Sequence, residues 1–494
     1  MMTILLTLYA FCALLLGLYT AGQAVLLWRY WTTRQAAPSA PPLAELPTVT
    51  VQLPLYNEAK VASRLINAVA ALDYPGDKLL IQVLDDSTDS TVRLVARKLA
   101  QLEERGFHVQ HLRRKDRAGF KAGALAAGIR QCDSDVIAIF DADFAPPPDF
   151  LRRTLPHLFA QPDIGIVQSR WGHLNANENS LTRAQKLSID THFVIEQAAR
   201  NRTGWLIPFN GTGGVWRRSC IEAAGGWSAD TLTEDLDLSY RAQMAGWTSV
   251  FLPEVEVPGE IPPQLAAYKL QQARWATGNT QCLLKLAPQI IAGGLSASQK
   301  IMAIQHLCQY LPQLLMLLML LLTPPLLQAG ALADLPLAPL GILGLAPLLM
   351  YIAGQMRLHS NRGALRGLTA FPALLFVGTG MSLSNSLAVL TALLGIKPGF
   401  RRTPKFKRDW TRSSYALSAD ATVCLELALM LYALWAAWLA WDLQPELCLY
   451  LLIYALSFGA VVGLSLRETW IVWRAKMKAN ADGEVNRLRW KSLL

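Results

Sequence analysis

The chain has 494 residues, of which 52% are hydrophobic and 17% are charged, whereas soluble domains are about 45–50% apolar and about 25% charged. This composition excludes an ordinary soluble protein and also global disorder, which requires the opposite bias. The formal net charge of +10 is explained by basic cytoplasmic loops beside an anionic membrane leaflet. We expect no nucleic-acid partner, because no zinc-finger, helix-turn-helix or RRM pattern accompanies the charge.

The first apolar block covers residues 2–28 and carries no charge before Arg29. It is long enough to cross about 30 Å of hydrocarbon. A cleaved signal peptide would have its positive charges before the apolar run, whereas here they follow it. Residues 1–30 are therefore predicted to be an uncleaved membrane anchor with an external N-terminus. An Ala/Pro-rich linker over 31–47 and a soluble domain over 48–285 are predicted to follow.

The second half of the chain contains further apolar blocks, at about 306–328, 335–356, 368–394, 420–441 and 447–466. Residues 328–334 and 442–446 carry no Lys or Arg, whereas 357–366 and 397–412 are basic. Because Lys and Arg mark cytoplasmic loops, the basic connections are predicted to lie inside and the others outside.

Two basic connections flank the block at 368–394, so a single crossing there would put one of them on the wrong side. The block is also interrupted by Gly and Ser near residue 380. We therefore predict an interfacial or re-entrant element. The membrane region, 286–466, then contributes four crossings to a total of five. The soluble domain and the basic tail, 467–494, are predicted to be cytoplasmic.

Short β-rich runs alternate with helix-like runs in the soluble domain. Strands are predicted at 48–53, 79–84 and 135–140, and helices at 59–72, 91–104 and 120–130. This alternation predicts a parallel α/β sheet. Ligands bind beyond the carboxyl ends of the strands in such sheets. Two acidic clusters, Asp85-Asp86 and Asp141-x-Asp143, directly follow predicted strands and indicate a site at that edge.

These acidic clusters have a functional interpretation and an ordinary one. The carboxylates of Asp141 and Asp143 suit a hard divalent cation that bridges to substrate phosphates, or they belong to a solvated turn. Asp235 is a candidate general base for an acceptor hydroxyl, or Thr233 and the acidic residues after it simply begin a helix. No P-loop motif is present, and no dinucleotide-binding motif follows the first strand.

A third motif, Gln271-x-x-Arg274-Trp275, lies just before the second apolar block. Arg suits a diphosphate and Trp suits the apolar face of a sugar ring. An Arg-Trp pair near a membrane is otherwise an interfacial anchor.

Taken in order, Asp86, Asp141-x-Asp143, Thr233-Glu234-Asp235 and Gln271-x-x-Arg274-Trp275 resemble the D, DxD, TED and QxxRW motifs of processive membrane glycosyltransferases of family 2. Cellulose, mannan, chitin and hyaluronan synthases belong to that group. Longer runs at 82–89, 119–125, 140–144 and 209–216 are similar to plant cellulose-synthase-like mannan and glucan synthases. The resemblance covers about residues 48–285 and implies a GT-A-type, Rossmann-like domain beside a helical membrane region.

The resemblance also implies roles for individual residues. Donor contacts are implied for Tyr56, Asn57, Glu58, Asp85, Asp86, Lys121, Asp141, Gln271 and Arg274. Acceptor contacts are implied for Asn210, Gly211, Thr212, Glu234 and Trp275. Asp235 would be the catalytic base, and Asp143 with Asp141 would hold a divalent cation, Mg²⁺ or Mn²⁺.

Residues 400–405 resemble the F-x-V-T-x-K gating loop of cellulose synthases, within a basic loop at 397–408. Phe400, Thr403 and Lys405 match the motif, and Arg402 replaces the usual Val. The alternative is a basic loop on the membrane surface.

The implied activity is inverting polymerisation of a β-linked mannan, glucomannan or glucan from GDP-mannose or UDP-glucose, coupled to translocation of the growing polysaccharide. The alternatives are a non-processive enzyme that adds one sugar to a lipid, and a non-catalytic scaffold or transporter. An integral membrane location is expected, either in the plasma membrane (the bacterial inner membrane) or in the Golgi. Regulation would need an accessory subunit, because no fused regulatory domain is recognisable.

Overall fold

The computed structural model describes residues 1–33, 40–333, 335, 342–396, 399, 401–406, 410–413 and 415–491, without the side chains of 412 and 479–491. The strands are β1 Val49–Leu55, β2 Leu79–Asp85, β3 His108–Leu112, β4 Val136–Ile139, β5 Ile164–His173, β6 Gly214–Arg217 and β7 Thr248–Gly259.

Helix α1, Met2–Thr32, precedes the soluble domain. The helices that follow it are α2 Ala62–Ala70, α3 Thr91–Glu103, α4 Phe120–Ile129, α5 Phe150–Leu158, α6 Ser180–Thr191, α7 Ala198–Arg202, α8 Arg218–Ala223, α9 Glu234–Met244 and α10 Leu265–Ala292. A π-helical turn, His192–Gln197, joins α6 to α7. The later helices are α11 Ala297–Leu307, α12 Leu311–Gln328, α13 Ala346–Leu358, α14 Asn361–Leu368, α15 Phe371–Gly380, α16 Ser382–Leu393, α17 Thr422–Leu443 and α18 Pro445–Lys491. Short 3₁₀ turns lie at Gly76–Lys78 and Trp410–Arg412.

The seven strands form one sheet in the order β3-β2-β1-β4-β6-β5-β7. The prediction of a parallel sheet is right for β1 to β4 but wrong for the whole, because β6 runs antiparallel to both β4 and β5. The chain enters β6 beside the carboxyl end of β4, where Gly214 pairs with Ile139. The residues that precede β6 are thereby placed at the same edge as the acidic clusters.

Apolar side chains cover both faces of this sheet. On one face Val51, Leu53 and Val83 pack with helices α2, α3 and α5. On the other face Ile137 and Trp216 pack with α4, α8 and α9. The strands at the centre are thus buried on both sides, as their continuous apolar runs predict.

A ladder of glutamines crosses the first three strands beneath α4. Gln52 Nε2 donates to Gln82 Oε1 at 2.8 Å, and Gln82 Nε2 donates to Gln110 Oε1 at 2.8 Å and to the Gly128 carbonyl at 3.1 Å. A Cβ on Gly128 would lie 2.4 Å from both Gln52 Nε2 and Gln82 Oε1. Glycine at this position therefore lets α4 approach the sheet without breaking the ladder.

Four helices of the described residues are long and apolar enough to cross a membrane: Met2–Thr32, Leu311–Gln328, Thr422–Leu443 and the part of α18 up to Lys478. A bent pair, Asn361–Gly380 with Ser382–Leu393, makes a 45° angle and has the form of a broken span or a re-entrant loop. The bend coincides with the Gly- and Ser-rich interruption on which the prediction of an interfacial or re-entrant element rests.

Two helices run across predicted boundaries between segments of the chain. Helix α10 continues through the predicted domain boundary at 285, and α18 continues from the last apolar block into the basic tail without a break. Within the predicted crossing at 335–356 the structure has helix α13, Ala346–Leu358. This helix is shorter than the roughly 20 residues that a membrane span needs. Residues 336–341 of that block lie outside the described part.

We predict that Gly128→Ala destabilises the soluble domain, because the new methyl group displaces the glutamine ladder and leaves buried amides unpaired. The cost should be about 1–3 kcal/mol. Thermal unfolding of the purified protein, compared with Gly76→Ala, tests this. Nothing lies within 4 Å of a Cβ on Gly76, so the control should melt like the wild type. Equal melting temperatures for the two variants would contradict the prediction.

Candidate active site

A cavity of about 770 Å³ opens at the carboxyl edge of the sheet and continues between the apolar helices. Its sheet side is lined by acidic residues that directly follow β2 and β4, by those at the start of α9 and by the QxxRW segment of α10. Its membrane side is lined by residues of α1, α12, α13 and α15, among them Tyr19, Gln313 and Tyr351. The motifs that lie far apart in the sequence therefore meet in one cavity.

The loops after β1 and β2 form the wall expected to face the nucleotide. Asp86 lines the cavity and accepts from Arg114 through both carboxylate oxygens, at 3.0 and 2.5 Å. Tyr56 also lines it, and the Arg117 guanidinium carbon lies 3.3 Å from the centre of its ring. Arg114 and Arg117 were missed in the sequence, although both belong to the basic run that precedes Lys121.

Two residues predicted for this wall are engaged elsewhere. Asp85 is buried, and its carboxylate bonds the Ser87 amide at 2.9 Å and His111 at 3.0 Å. Asn57 has a left-handed backbone (φ 56°), and its side-chain oxygen accepts from the Thr88 amide at 2.9 Å. Neither is among the cavity-lining residues. In this structure both shape the loops that present Tyr56 and Asp86.

The two aspartates after β4 each face a lysine. Lys121 Nζ lies 2.7 Å from Asp141 Oδ1, and Lys405 Nζ lies 2.7 Å from Asp143 Oδ2. Burial raises the pKa of Asp143, and Lys405 opposes that rise. The structure therefore places positive charge at both carboxylates.

The same two carboxylates suit a divalent cation. Among the described residues, no cluster of three or more His, Cys, Asp or Glu side chains could enclose a metal ion. Mg²⁺ is commonly held by one or two carboxylates together with substrate phosphates and water. The oxygen-only donor pair of Asp141 and Asp143, compensated here by two lysines, fits that mode of binding.

Asp235 stands in the first turn of α9, beside the turn that leads into β6. A Cβ on Gly211 would lie 2.9 Å from Asp235 Oδ2, and the φ of Gly211 is +78°. Burial and the neighbouring Glu234 carboxylate raise the pKa of Asp235, and Lys121 opposes the rise. Lys121 also reaches Glu234 at 3.6 Å and donates to the Gly211 carbonyl at 2.9 Å, so one ammonium group connects the two acidic motifs.

The residue before α9 does not cap it in the expected manner. Thr233 occupies the N-cap position but makes no side-chain capping bond, and its hydroxyl lies 3.4 Å from Cys282 Sγ of α10. A Cβ on Gly278 of α10 would lie 2.5 Å from Thr233 Cγ2. Thr233 thus serves close packing of α9 on α10.

The three residues predicted to contact the acceptor, Asn210, Gly211 and Thr212, directly precede β6 and have different positions. Asn210 and Gly211 line the cavity. Thr212 is buried behind them, where its hydroxyl accepts from the Asp141 amide at 2.9 Å. Thr212 therefore supports the loop that carries Asp141 and Asp143.

Gln271, Arg274 and Trp275 line the cavity from α10. The helix is fastened to the membrane region at two points. The Glu468 carboxylate accepts from the Leu265 amide at 2.9 and 3.0 Å, and Lys269 pairs with Glu426 at 2.5 Å.

The described part of the gating-like loop, 401–406, lies over the part of the cavity that Glu58 and Asp143 line. Arg402 Nη1 lies 2.8 Å from Glu58 Oε2, and the guanidinium lies 4.8 Å from the centre of the Tyr415 ring. Thr403 is buried and lines the cavity with Lys405, while Phe400 lies outside the described residues. Arg402 and Lys405 face carboxylates of the sheet edge, which favours a loop over the cavity rather than one lying on the membrane surface.

Comparison with known proteins shows what part of the chain is similar to. Residues 47–278 match the family model described as glycosyltransferase like family 2. A probable glucomannan 4-beta-mannosyltransferase 9 of Oryza sativa subsp. japonica is 43% identical over 251 residues, which are 50% of this chain and 48% of that protein. Glucomannan 4-beta-mannosyltransferase 2 of Arabidopsis thaliana is 41% identical over 252 residues, 50% of this chain and 47% of that protein. The chain spans about half the length of these relatives.

Among solved structures, the chain is similar to a mannosyltransferase of Pyrobaculum calidifontis in complex with GDP-Man and Mn²⁺. The TM-score is 0.58 and the identity 22%, covering 79% of this chain and 100% of the other. This likeness concerns the fold, and it confirms the prediction of a GT-A-type domain.

The burial of Glu58 leads to a pH-dependent prediction. Burial raises the pKa of Glu58 to about 7, although Arg402 and Lys405 oppose the rise. The pKa of a Glu side chain in an unfolded chain is about 4.3, so the folded protein binds the Glu58 proton more tightly than the unfolded chain does. The stability that Glu58 contributes is therefore complete below about pH 4 and is lost as the pH rises towards 7.

We expect Glu58→Gln to remove this component. The melting temperature of the wild type should fall relative to that of the variant between pH 5 and pH 8, in scans of purified protein in detergent. Glu103→Gln, at an exposed position of α3, is the matched control and should follow the wild type. A constant difference between wild type and Glu58→Gln across this range would disprove the assignment.

Proposed function

We propose that the protein, whose residues 47–278 match the model of glycosyltransferase like family 2, is a membrane-embedded inverting glycosyltransferase that polymerises a β-linked mannan or glucomannan. The observation that carries the proposal is the shared cavity. In it, Lys121 joins the Asp141 carboxylate to the Glu234–Asp235 pair, beside the turn that carries Asn210 and Gly211.

GDP-mannose is the donor we propose, with UDP-glucose as the alternative. The rice and Arabidopsis relatives are named as glucomannan mannosyltransferases, and the Pyrobaculum mannosyltransferase was solved with GDP-Man. Asp86, Tyr56 and the arginines paired with them would bind the nucleoside. Lys121, Arg274 and Lys405 supply positive charge for the diphosphate.

Asp141 and Asp143 would hold the divalent cation. When bound, the cation neutralises the charge that develops on the leaving diphosphate. The two lysines that now face these carboxylates would then be available to the phosphate oxygens.

Asp235 is the proposed general base. It would take the proton of an acceptor hydroxyl while the oxygen forms a bond to the anomeric carbon and the bond from that carbon to the diphosphate breaks. A raised pKa suits this role, since a base is most effective when its pKa lies near the working pH. With one base and no covalent nucleophile, an α-linked donor gives a β-linked product.

The membrane region is proposed to receive the product. The cavity continues past Tyr19, Gln23, Gln309, Gln313 and Tyr351. These amide and hydroxyl groups suit a neutral glycan, which offers both donors and acceptors. This path supports coupling of polymerisation to translocation, with the soluble domain on the cytoplasmic side of a plasma or Golgi membrane.

We predict that the purified protein incorporates label from GDP-[¹⁴C]mannose, more efficiently than from UDP-[¹⁴C]glucose, into a product that is excluded from gel-filtration pores and digested by β-mannanase. The label should stay out of organic solvent. A single-sugar product that extracts into chloroform–methanol would establish the lipid-glycosylating alternative and contradict the polymerase.

In the same assay Asp235→Asn should reduce transfer by about 10²–10⁴-fold, the contribution typical of a positioned base. GDP-mannose affinity should remain near that of the wild type. Asp133→Asn, at an exposed position, is the control and should transfer normally. Polymer formation by Asp235→Asn at the wild-type rate would exclude this residue as the base.

EDTA should abolish transfer, and added Mn²⁺ or Mg²⁺ should restore it. Asp143→Asn should raise the metal concentration needed for half-maximal activity by about tenfold or more, because the cation loses one of its two charged oxygen ligands. Asp149→Asn, at an exposed position of the same segment, should leave the metal requirement unchanged. Full activity in EDTA would rule out a metal-dependent reaction.

A further inference from the structure

The link between α6 and α7 is a π-helical turn, His192–Gln197, at the wall of the cavity. π-helical turns are rare, and those that occur are frequently found at functional sites. The turn was not predicted, because the apolar pattern of these residues is that of a continuous α-helix.

The turn is anchored on one side by apolar packing. Phe193, Val194 and Ile195 are buried against Leu26 of α1 and Met350 of α13. Between Thr191 and Arg200, only His192 and Glu196 are partly exposed, and both line the cavity. The π-helical turn therefore presents these two polar side chains to the cavity from a rigid base.

The two side chains form a hydrogen-bonded pair that continues to the acceptor-side turn. His192 Nδ1 lies 3.1 Å from Glu196 Oε2, and His192 Nε2 lies 3.4 Å from Asn210 Oδ1. The side-chain nitrogen of Asn210 is buried and has no hydrogen-bond partner within the described part of the chain. This amide is thus a donor without an acceptor at the cavity wall.

The position of the pair relative to Asp235 follows from the chain. Asn210, which contacts His192, directly precedes Gly211, which contacts Asp235. The pair therefore lies on the acceptor side of the proposed base. The lysines that face Asp141 and Asp143 mark the donor side.

The chemistry of the pair selects the kind of ligand. A carboxylate repels a diphosphate, so Glu196 does not suit the donor. A carboxylate, an imidazole and a primary amide together offer donors and acceptors, as the hydroxyl groups of a neutral sugar require. Trp275 lines the same cavity and Trp171 packs on Phe193 at 5.4 Å between ring centres, which adds the apolar surface that a sugar face needs.

We propose that His192, Glu196 and Asn210 form an acceptor-binding subsite that holds hydroxyl groups of the growing glycan next to Asp235. The subsite deepens the proposed function and rests on it for the identity of the glycan. His192 and Glu196 bind the acceptor in this proposal and exchange no proton with it.

The test measures binding separately from transfer. Full-length protein in detergent is titrated calorimetrically with β-1,4-mannotetraose, with cellotetraose in parallel, and with GDP-mannose. His192→Ala and Glu196→Ala should each weaken binding of the tetraose that the wild type prefers by about tenfold, while GDP-mannose affinity stays within twofold. Because the two side chains bond each other, their effects should be less than additive in the double variant.

Two further variants separate binding from folding. Arg183→Ala, at an exposed position of α6, should bind the tetraose like the wild type. Glu196→Gln, which keeps the shape and one acceptor oxygen, should recover part of the affinity lost in Glu196→Ala. Monodispersity and melting temperature identify any variant that fails to fold, and Glu196→Gln then decides the question.

The proposal is overturned if the wild type binds neither tetraose, if both alanine variants bind it within twofold of the wild type, or if GDP-mannose affinity falls in parallel. Failure of the proposed function looks different. In that case the wild type binds the tetraose and the variants weaken it, but no mannose or glucose is transferred.

Discussion

The structure depends on compensating the negative charge of the carboxylates that lie together at one edge of the sheet. Burying an unpaired charge is costly, whereas a paired charge is tolerated when its hydrogen bonds are satisfied. Four of these carboxylates each face a cation from elsewhere in the chain: Glu58 faces Arg402, Asp86 faces Arg114, Asp141 faces Lys121 and Asp143 faces Lys405. The same cations would suit a diphosphate, so the arrangement that permits folding is also compatible with the anionic donor proposed above.

The cations come from both halves of the molecule, and this unites the soluble domain with the membrane region. The loop at 401–406, which follows the bent helix pair, supplies Arg402 and Lys405 to carboxylates of the sheet edge. The π-helical turn at 192–197 provides the apolar counterpart, since its buried side packs on α1, α11 and α13. Charge pairing at the sheet edge and apolar packing at the π-helical turn therefore hold the cavity from two directions.

Much of the site could be predicted because strand ends are visible in sequence. Asp86, Asp141 and Asp143 follow apolar β-rich runs, and the carboxyl edge of a sheet brings such residues together. The antiparallel direction of β6 was not visible, because four residues carry no signal of direction. The π-helical turn was missed because its extra residue leaves the apolar pattern helical. Arg402 replaces the usual Val of the family motif, and the ion pair with Glu58 that accounts for this replacement could not be predicted from the sequence.

The fastening of α10 carries a consequence beyond the cavity. Trp275 lies ten residues after Leu265, about 15 Å along the helix at 1.5 Å per residue. The Leu265 amide is held by Glu468 of α18, and Lys269 is held by Glu426 of α17. A lipid bilayer that is thicker or thinner than these helices changes their tilt at modest cost. A change in the tilt of α17 or α18 would therefore act through these two carboxylates on the position of the QxxRW segment.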